Sequence, residues 1–390
     1  MFDLVKTLLR SGYYYARLMG LLNFEIDLRT GVPRITRRAS IYAALVNLLT
    51  IAILPLLLNN PVVHLFWSRA DFLHEYLFLA VLACRVVCLV ATLICRWWQR
   101  PLYVRLINDF QRLAHRKPQV RRLWRRGIIA KWVSITLAEF FQMLIVLILI
   151  HEALTPKLII TVVILSTITA QVNVIVSQYY FALLNIHGHY ILLNHELSGL
   201  LDEMHALETE RRRGVFTIKC CALADQLDGI AAMQFQLQAL AKQITSIFGL
   251  QIVATSASYY MSSVSLIYIT FSELRTSRIS AILSFWGRVV VVLQFLWYFI
   301  DIHITVNVTY AVQDVHTMLV SLVSQHKVFA AGLDERLEVA LQNFQLQLAW
   351  NPMKIPVLGL YEMKKSQVVA MTSSVLSSSM VLVQYDLKHF

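Results

Sequence analysis

The sequence has none of the short motifs that mark common catalytic and metal-binding sites. It contains no GxxxxGKS/T, HExxH or GxSxG, and its histidines are scattered along the chain instead of being grouped with cysteines. We therefore expect no enzymatic activity, no metal ion and no cofactor.

Cysteine is also rare, with five residues in 390. Cys84, Cys88 and Cys95 lie in a predicted membrane span, whereas Cys220 and Cys221 lie in a predicted cytoplasmic loop. Because none is expected outside the cell, no disulfide is predicted. The adjacent pair Cys220–Cys221 lacks the ligand spacing of a zinc site.

Two further features are missing: a cleavable leader and an internal repeat. Residues 1–38 lack the apolar core and small-residue cleavage site of a secretory signal peptide, so the first span is predicted to be an uncleaved signal-anchor. Secondary transporters commonly have repeated halves and helices broken at the bilayer centre. The chain has no repeat and its predicted span centres are intact, although Pro55 lies inside span 1, and these features disfavour that class.

Apolar residues, in contrast, are abundant. They make up 57% of the chain, and the mean hydropathy of +0.60 is far above that of a soluble domain. We predict an all-α membrane protein with seven transmembrane helices, each from a segment long enough to cross a bilayer. The predicted spans are 39–58, 76–95, 128–150, 158–183, 244–270, 280–308 and 366–388.

The placement of positive charge predicts the orientation. The net charge is +12, and residues 1–38 and 96–127 alone carry seven and ten Lys and Arg residues. All basic-rich segments fall on one side of a seven-span chain, and positive charge marks the cytoplasmic side. The N-terminus is therefore predicted inside and the C-terminus outside, and no nucleic-acid partner is expected. A G-protein-coupled receptor has the opposite orientation, and the chain has no DRY-like or NPxxY-like sequence.

The long inner segments carry apolar residues at helical spacing. These stripes predict that spans 4, 5 and 6 extend past the membrane and pack with residues 309–350 into a cytoplasmic bundle, with Pro352 and Pro356 ending the helix before the last span. The bundle is predicted either to bind neighbouring subunits or to serve only the fold of one subunit. The stripes are Leu193, Leu197, Leu200, Met204 and Leu207; Leu223, Leu227, Ile230, Phe235, Leu237 and Leu240; and Leu333, Leu337, Leu341, Phe344 and Leu348.

Charged residues within spans are costly and often functional. Arg85 and Glu139 lie near the midpoints of spans 2 and 3, so pairing between them is one prediction. Lys131, near an inner end, is predicted to extend its ammonium group to the membrane surface. Arg288 is predicted to line a wet cavity, and Asp301 to be structural.

The last 25 residues carry a polar stripe. Ser366, Ser373, Ser377, Gln384 and Lys388 follow at spacings of seven, four, seven and four, so they share one face of a helix. Lipid offers these groups no hydrogen-bond partners, and the stripe is expected to face protein or water. Two interpretations remain open here: the wall of an aqueous pore, or close helix packing through small residues.

These features together resemble the insect gustatory receptors, which are kin of the odorant receptors. That family has Thr-Tyr, five hydrophobic residues and Gln-Phe in its last span; here Ser377-Ser378 stand for Thr-Tyr and Gln384-Tyr385 for Gln-Phe. Other segments similar to the family are Gln345-Leu346, Asn351-Pro352 and Gly359-Leu360-Tyr361 before the last span, and residues 14–27, which resemble one divergent fruit-fly branch.

The resemblance implies a ligand-gated, non-selective cation channel built as a homo- or hetero-tetramer with other gustatory receptor subunits. It would sit in the plasma membrane of a sensory neuron among membrane lipids. The last helix would surround the pore, with Gln384 near the extracellular gate, Ser373 and Ser377 lining the vestibule, and Met380 or Val381 forming a hydrophobic constriction. The implied parts are a cytoplasmic arm (1–38), spans 1–6 with the ligand pocket (39–308), a cytoplasmic anchor helix (309–365) and the pore helix (366–390).

The implied ligand is a small-molecule tastant bound among the outer halves of spans 2–6, where apolar walls and a few polar groups suit such compounds. The altered Thr-Tyr pair and the similarity at residues 14–27 favour a bitter or aversive ligand. The alternatives are a seven-span receptor or scaffold that signals through cytoplasmic partners without conducting, and a solute transporter. The candidate pocket residues are Phe141, Gln142, Thr167, Tyr259, Tyr260, Trp286 and Arg288.

Overall fold

The computed structural model describes residues 4–27, 30–58, 72–152, 156–207, 213–276, 285–325, 334–359 and 361–389. Within these ranges the chain is almost entirely helical. The helices are α1 (Leu4–Leu18), α2 (Arg37–Leu58), α3 (Phe72–Trp98), α4 (Arg100–Arg116), α5 (Val120–Glu152), α6 (Pro156–Leu207), α7 (Arg213–Thr276), α8 (Phe285–Gln325), α9 (Glu335–Trp350) and α10 (Lys365–His389).

Each predicted span falls within one of these helices, except that residues 280–284 lie outside the described residues. Among the described residues, four helices contain a stretch long and apolar enough to cross a membrane: Arg37–Pro55, Glu75–Trp98, Val120–Ile145 and Phe285–Ser324. The segments 158–183, 244–270 and 366–388 are also helical. In the first of these, Gln171 and Asn173 are buried against neighbouring helices, so its polar side chains serve contacts within the protein.

Two helices occur where the sequence indicated only a basic arm and a basic loop. Helix α1 packs against α5 and α6. Helix α4 buries Tyr103, Leu106 and Leu113 on one face while Arg105 and Arg112 lie on the other. Both are amphipathic, and a narrow apolar stripe among many basic residues is a weak signal in a hydropathy profile. Two short antiparallel hairpins complete the fold, pairing Glu25–Ile26 (β1) with Pro33–Arg34 (β2) and Pro356–Val357 (β3) with Tyr361–Glu362 (β4).

The predicted helical extensions form and pack together. Helices α6, α7 and α8 continue well beyond their predicted spans, and α9 packs against α7 and α8. The described members of the predicted apolar stripes are buried in one core, with the exception of Phe235; Leu333 lies outside the described residues. Helix α9 ends at Trp350, before Pro352, as predicted.

Phe235 was wrongly placed in the core. Its side chain is 58% exposed, whereas Gln234 is fully buried. The inward positions on α7 are Leu227, Ile230, Gln234 and Leu237, which are three, four and three residues apart. Position 234 therefore falls on the buried face although its residue is polar. Nε2 of Gln347 on α9 donates to Oε1 of Gln234 at 2.7 Å, and this bond satisfies the buried amide oxygen.

We expect Leu341→Ala to destabilise the bundle by about 2–5 kcal/mol, because it empties a fully packed core position. Leu341 is 4% exposed, whereas Leu346 on the same helix is 56% exposed. Leu346→Ala is the matched control, with an expected change within about 0.5 kcal/mol. The measurement is the thermal denaturation of the detergent-solubilised receptor, and equal losses in the two variants would contradict this assignment of the core.

Candidate functional site: the last helix and the centre of the bundle

Helix α10 is held to its own chain along one side, chiefly by α7. The Tyr260 hydroxyl hydrogen-bonds Oγ of Ser374 at 3.1 Å and Oγ of Ser378 at 2.8 Å. The buried Tyr268 hydroxyl donates to Oδ1 of Asp386 at 3.1 Å. Val375, Ser379 and Asp386 are the buried residues of α10, so the side facing α7 is narrow.

The predicted polar stripe lies on the opposite side of α10. Ser373, Ser377 and Gln384 are exposed, as are Ser366 and Lys388 at the two ends of the stripe. Successive residues are rotated by about 100° about the helix axis, so the mean direction of these five side chains lies roughly 150° around the axis from that of Ser379. Met380 and Val381 flank the stripe and are 64% and 60% exposed. The five predicted pore residues therefore share one face of α10 that their own chain leaves uncovered.

The charged residues at the midpoints of spans 2 and 3 do not pair with each other. Nη1 of Arg85 donates to Oγ1 of Thr169 at 3.1 Å, and Nδ2 of Asn173 donates to Oε1 of Glu139 at 2.6 Å. Both partners lie on α6, against which α3 and α5 each pack. Opposite charges at similar positions along their spans were therefore not enough to predict a pair, because the neighbouring helix α6 supplies a polar partner to each residue.

The prediction for Lys131 was wrong. Its side chain is fully buried, and its Nζ lies 2.8 and 2.7 Å from the two carboxylate oxygens of Asp301 and 2.7 Å from Oγ1 of Thr305. Ser134 Oγ also donates to Asp301 Oδ1 at 2.6 Å. The three donors of the ammonium group thus have three acceptors. The predicted structural role of Asp301 is confirmed, since it joins α8 to α5.

A cavity of about 60 Å³ lies between α6, α7 and α8. Tyr259 lines it, and the ring of Tyr259 meets that of Tyr298 edge-on with centroids 5.2 Å apart. Thr255, Thr305 and Thr309 add hydroxyl groups to its mostly apolar wall, and Met363, two residues before α10 begins, closes one side. The cavity therefore lies at the bundle centre, next to the segment that leads into α10.

The structure disperses the other candidate pocket residues. Phe141, Gln142 and Thr167 are half-buried, and the Thr167 hydroxyl donates to the carbonyl oxygen of Val163 within its own helix. Trp286 is 71% exposed and Arg288 is also exposed. Of the seven candidates, only Tyr259 lines this cavity, and Tyr260 contacts α10 instead. Sequence reasoning missed Thr255, Thr305 and Thr309, although hydroxyl residues recurring within apolar helices were a usable signal.

Comparison with known proteins identifies the family. The family model described as 7tm Chemosensory receptor matches residues 9–389. The chain belongs to this family. Members are membrane receptors, and the several apolar helices of this chain agree with a multi-pass membrane protein. The resemblance to insect gustatory receptors is thereby confirmed.

Three relatives from Drosophila melanogaster match the chemosensory receptor over the full length of both chains. The identity is 35% to the candidate gustatory receptor 59d, 33% to the candidate gustatory receptor 36c and 32% to the candidate gustatory receptor 36a. The fold is similar to that of the insect olfactory receptor OR5 from Machilis hrabei, with a TM-score of 0.68 and 12% identity over 97% of this chain and 98% of that one. The same receptor in complex with eugenol gives a TM-score of 0.66.

Proposed function

We propose that this chemosensory receptor is a subunit of a ligand-gated, non-selective cation channel for bitter or aversive small molecules. Four subunits, identical or mixed, surround one axis in the plasma membrane of a sensory neuron, and each contributes α10 to the pore. The observation that carries the proposal is the opposition of two faces on α10: the buried face toward α7 and the polar stripe turned away from the chain.

The physical argument concerns what lies next to that stripe. The amide of Gln384 and the ammonium group of Lys388 are too polar to rest in hydrocarbon, where neither has a partner. The second interpretation of the stripe is close helix packing through small residues; within one chain such packing would bury Ser373 and Ser377, and both are exposed. Water at a symmetry axis satisfies all these groups at once. Met380 and Val381 then narrow the pore with apolar side chains that exclude water when they approach.

The neighbouring residues Tyr259 and Tyr260 offer a route from ligand to pore. Tyr259 lines the cavity in the bundle, whereas Tyr260 holds Ser374 and Ser378 of α10. A ligand that favours a shifted position of α7 therefore also favours a shifted position of α10. Ligand binding opens the channel to the extent that the ligand's affinity differs between the two positions.

Gln384→Ala is expected to change the single-channel conductance or the relative permeability of cations, because it removes the polar group proposed to lie nearest the outer gate. The experiment records currents from cells that express the receptor, alone and with other gustatory receptor subunits, during application of a panel of bitter compounds. Gln342→Ala, on the exposed face of α9, is the matched control.

Two outcomes would overturn the proposal, and a third would overturn its assignment of Gln384 to the pore. Ligand-evoked signalling without current in any subunit combination would favour a non-conducting receptor or scaffold. Saturable substrate uptake without channel events would favour a transporter. Currents that are unchanged in Gln384→Ala would remove this residue from the permeation pathway.

A further inference from the structure

A second cavity, of about 200 Å³, lies between α1, α4, α5 and α6. It is separate from the cavity at Tyr259, because the two use opposite faces of α6. Ile175, Val176 and Tyr179 line the cavity at Tyr259, whereas Asn173, Val174 and Ser177 line the second one. We call the second one the α1 cavity. An apolar cavity of about 150 Å³ in another protein admits benzene, so this volume accommodates a substituted single ring.

Five aromatic side chains contribute to the mostly apolar wall of the α1 cavity. Tyr13 and Tyr15 come from α1, Tyr103 from α4, Trp132 from α5 and Phe181 from α6. Helix α1 rests directly on this wall, because a Cβ atom added at Gly12 would lie 2.8 Å from the Trp132 ring. The cavity is therefore closed on one side by an amphipathic helix at the end of the chain, and movement of α1 gives a route of entry.

The Glu139 carboxylate in this wall has unused hydrogen-bonding capacity. It accepts one hydrogen bond of 2.6 Å from Asn173, and a carboxylate can accept about four. A buried carboxylate with few hydrogen bonds is costly, so a donor in the cavity would stabilise this arrangement.

These requirements define the chemistry of an occupant. A neutral hydroxyl group donates a hydrogen bond through its proton, as the carboxylate requires. A cationic amine would pay a large desolvation cost in a site buried within the bundle. An aromatic ring suits the aromatic wall, where offset and edge-on ring contacts are favourable.

We propose that the α1 cavity is a binding site for a small neutral aromatic alcohol, held by Glu139 and covered by α1. The site is distinct from the ligand pocket proposed among the outer halves of the spans. Helix α6 lies between the α1 cavity and the cavity at Tyr259. An occupant of the α1 cavity therefore changes the packing of α6 from the face opposite the cavity at Tyr259. The proposal concerns binding and does not depend on ion conduction.

The test uses the full-length, detergent-solubilised receptor and the photoreactive probe 4-(trifluoromethyl-diazirinyl)benzyl alcohol. After irradiation, mass spectrometry locates the labelled peptides. We expect labelling within α1 and within residues 173–181 of α6, and we expect excess benzyl alcohol to suppress it. Glu139→Gln preserves the shape of the site and is expected to weaken probe binding about tenfold, because it removes a charge-assisted hydrogen bond.

A matched pair of variants on α6 separates the two cavities. Val174→Phe fills the α1 cavity and should reduce labelling to the level seen with excess benzyl alcohol. Val176→Phe makes the same change toward the cavity at Tyr259 and should leave labelling of α1 intact. Labelling that is insensitive to both benzyl alcohol and Glu139→Gln would overturn the proposal, even if Val174→Phe failed to fold. Labelling confined to peptides outside α1, α4, α5 and α6 would also overturn it.

Discussion

Lys131→Ala is expected to destabilise the receptor by about 3–5 kcal/mol, because it leaves the Asp301 carboxylate buried without its counter-ion. The ion pair lies between α5 and α8 with the Lys131 side chain fully buried, and N–O distances of 2.8 and 2.7 Å give it close geometry. Loss of monodisperse protein on heating in detergent measures the effect. Surface expression of the variant should fall accordingly.

Two comparisons make that measurement specific to the buried pair. The double variant Lys131→Met, Asp301→Leu removes both charges and should recover most of the lost stability, since apolar replacements of a buried pair are often neutral. Lys354→Ala breaks an exposed contact of 3.5 Å with Glu362 and should cost less than about 1 kcal/mol. Equal losses in Lys131→Ala and Lys354→Ala would contradict the assignment of Lys131 and Asp301 as a buried, stabilising ion pair.

The second large effect is expected at Ser377. In the assembled and ligand-activated receptor, Ser377→Cys should react with a water-soluble thiosulfonate reagent and lose most of its ligand-evoked current. The reason is that the positively charged adduct left by a cationic reagent both narrows the pathway and repels cations. Ser373→Cys and Gln384→Cys should react as well, because their side chains share this face.

Ser379→Cys supplies the matched control. It is the same substitution two residues along, but Ser379 is 1% exposed and its hydroxyl donates to the carbonyl oxygen of Val375. The reagent should leave this variant unmodified. The unsubstituted receptor sets the background from its own cysteines, of which Cys88 and Cys220 are buried. Equal reaction at 377 and 379, or reaction at 379 alone, would place the pore on another face of α10.

Much of the architecture could be predicted because the relevant signals are periodic. The stripe on α10 depends only on helical geometry, and its five members are exposed on one side of the helix. The core of the extensions was predictable for the same reason, since leucine spacing specifies which face of a helix is buried. Phe235 shows the limit: where Gln234 occupies an inward position, hydrophobicity points to the wrong neighbour.

Contacts between helices were harder to predict than faces. Pairing of Lys131 with Asp301 depends on α5 and α8 being neighbours, and the order of helices in space is not encoded in hydropathy. Arg85 and Glu139 illustrate the same difficulty, because their partners Thr169 and Asn173 are neutral residues of a third helix. The α1 cavity could not be foreseen, since the helix that covers it lay in a segment predicted to be a polar arm.

The two tyrosine contacts along α7 have a mechanical consequence. Tyr260 and Tyr268 are two turns apart and grip α10 at two heights through three hydrogen bonds. Two attachment points on a rigid rod prevent it from pivoting independently of its support. Helices α7 and α10 should therefore tilt or rotate together as one lever.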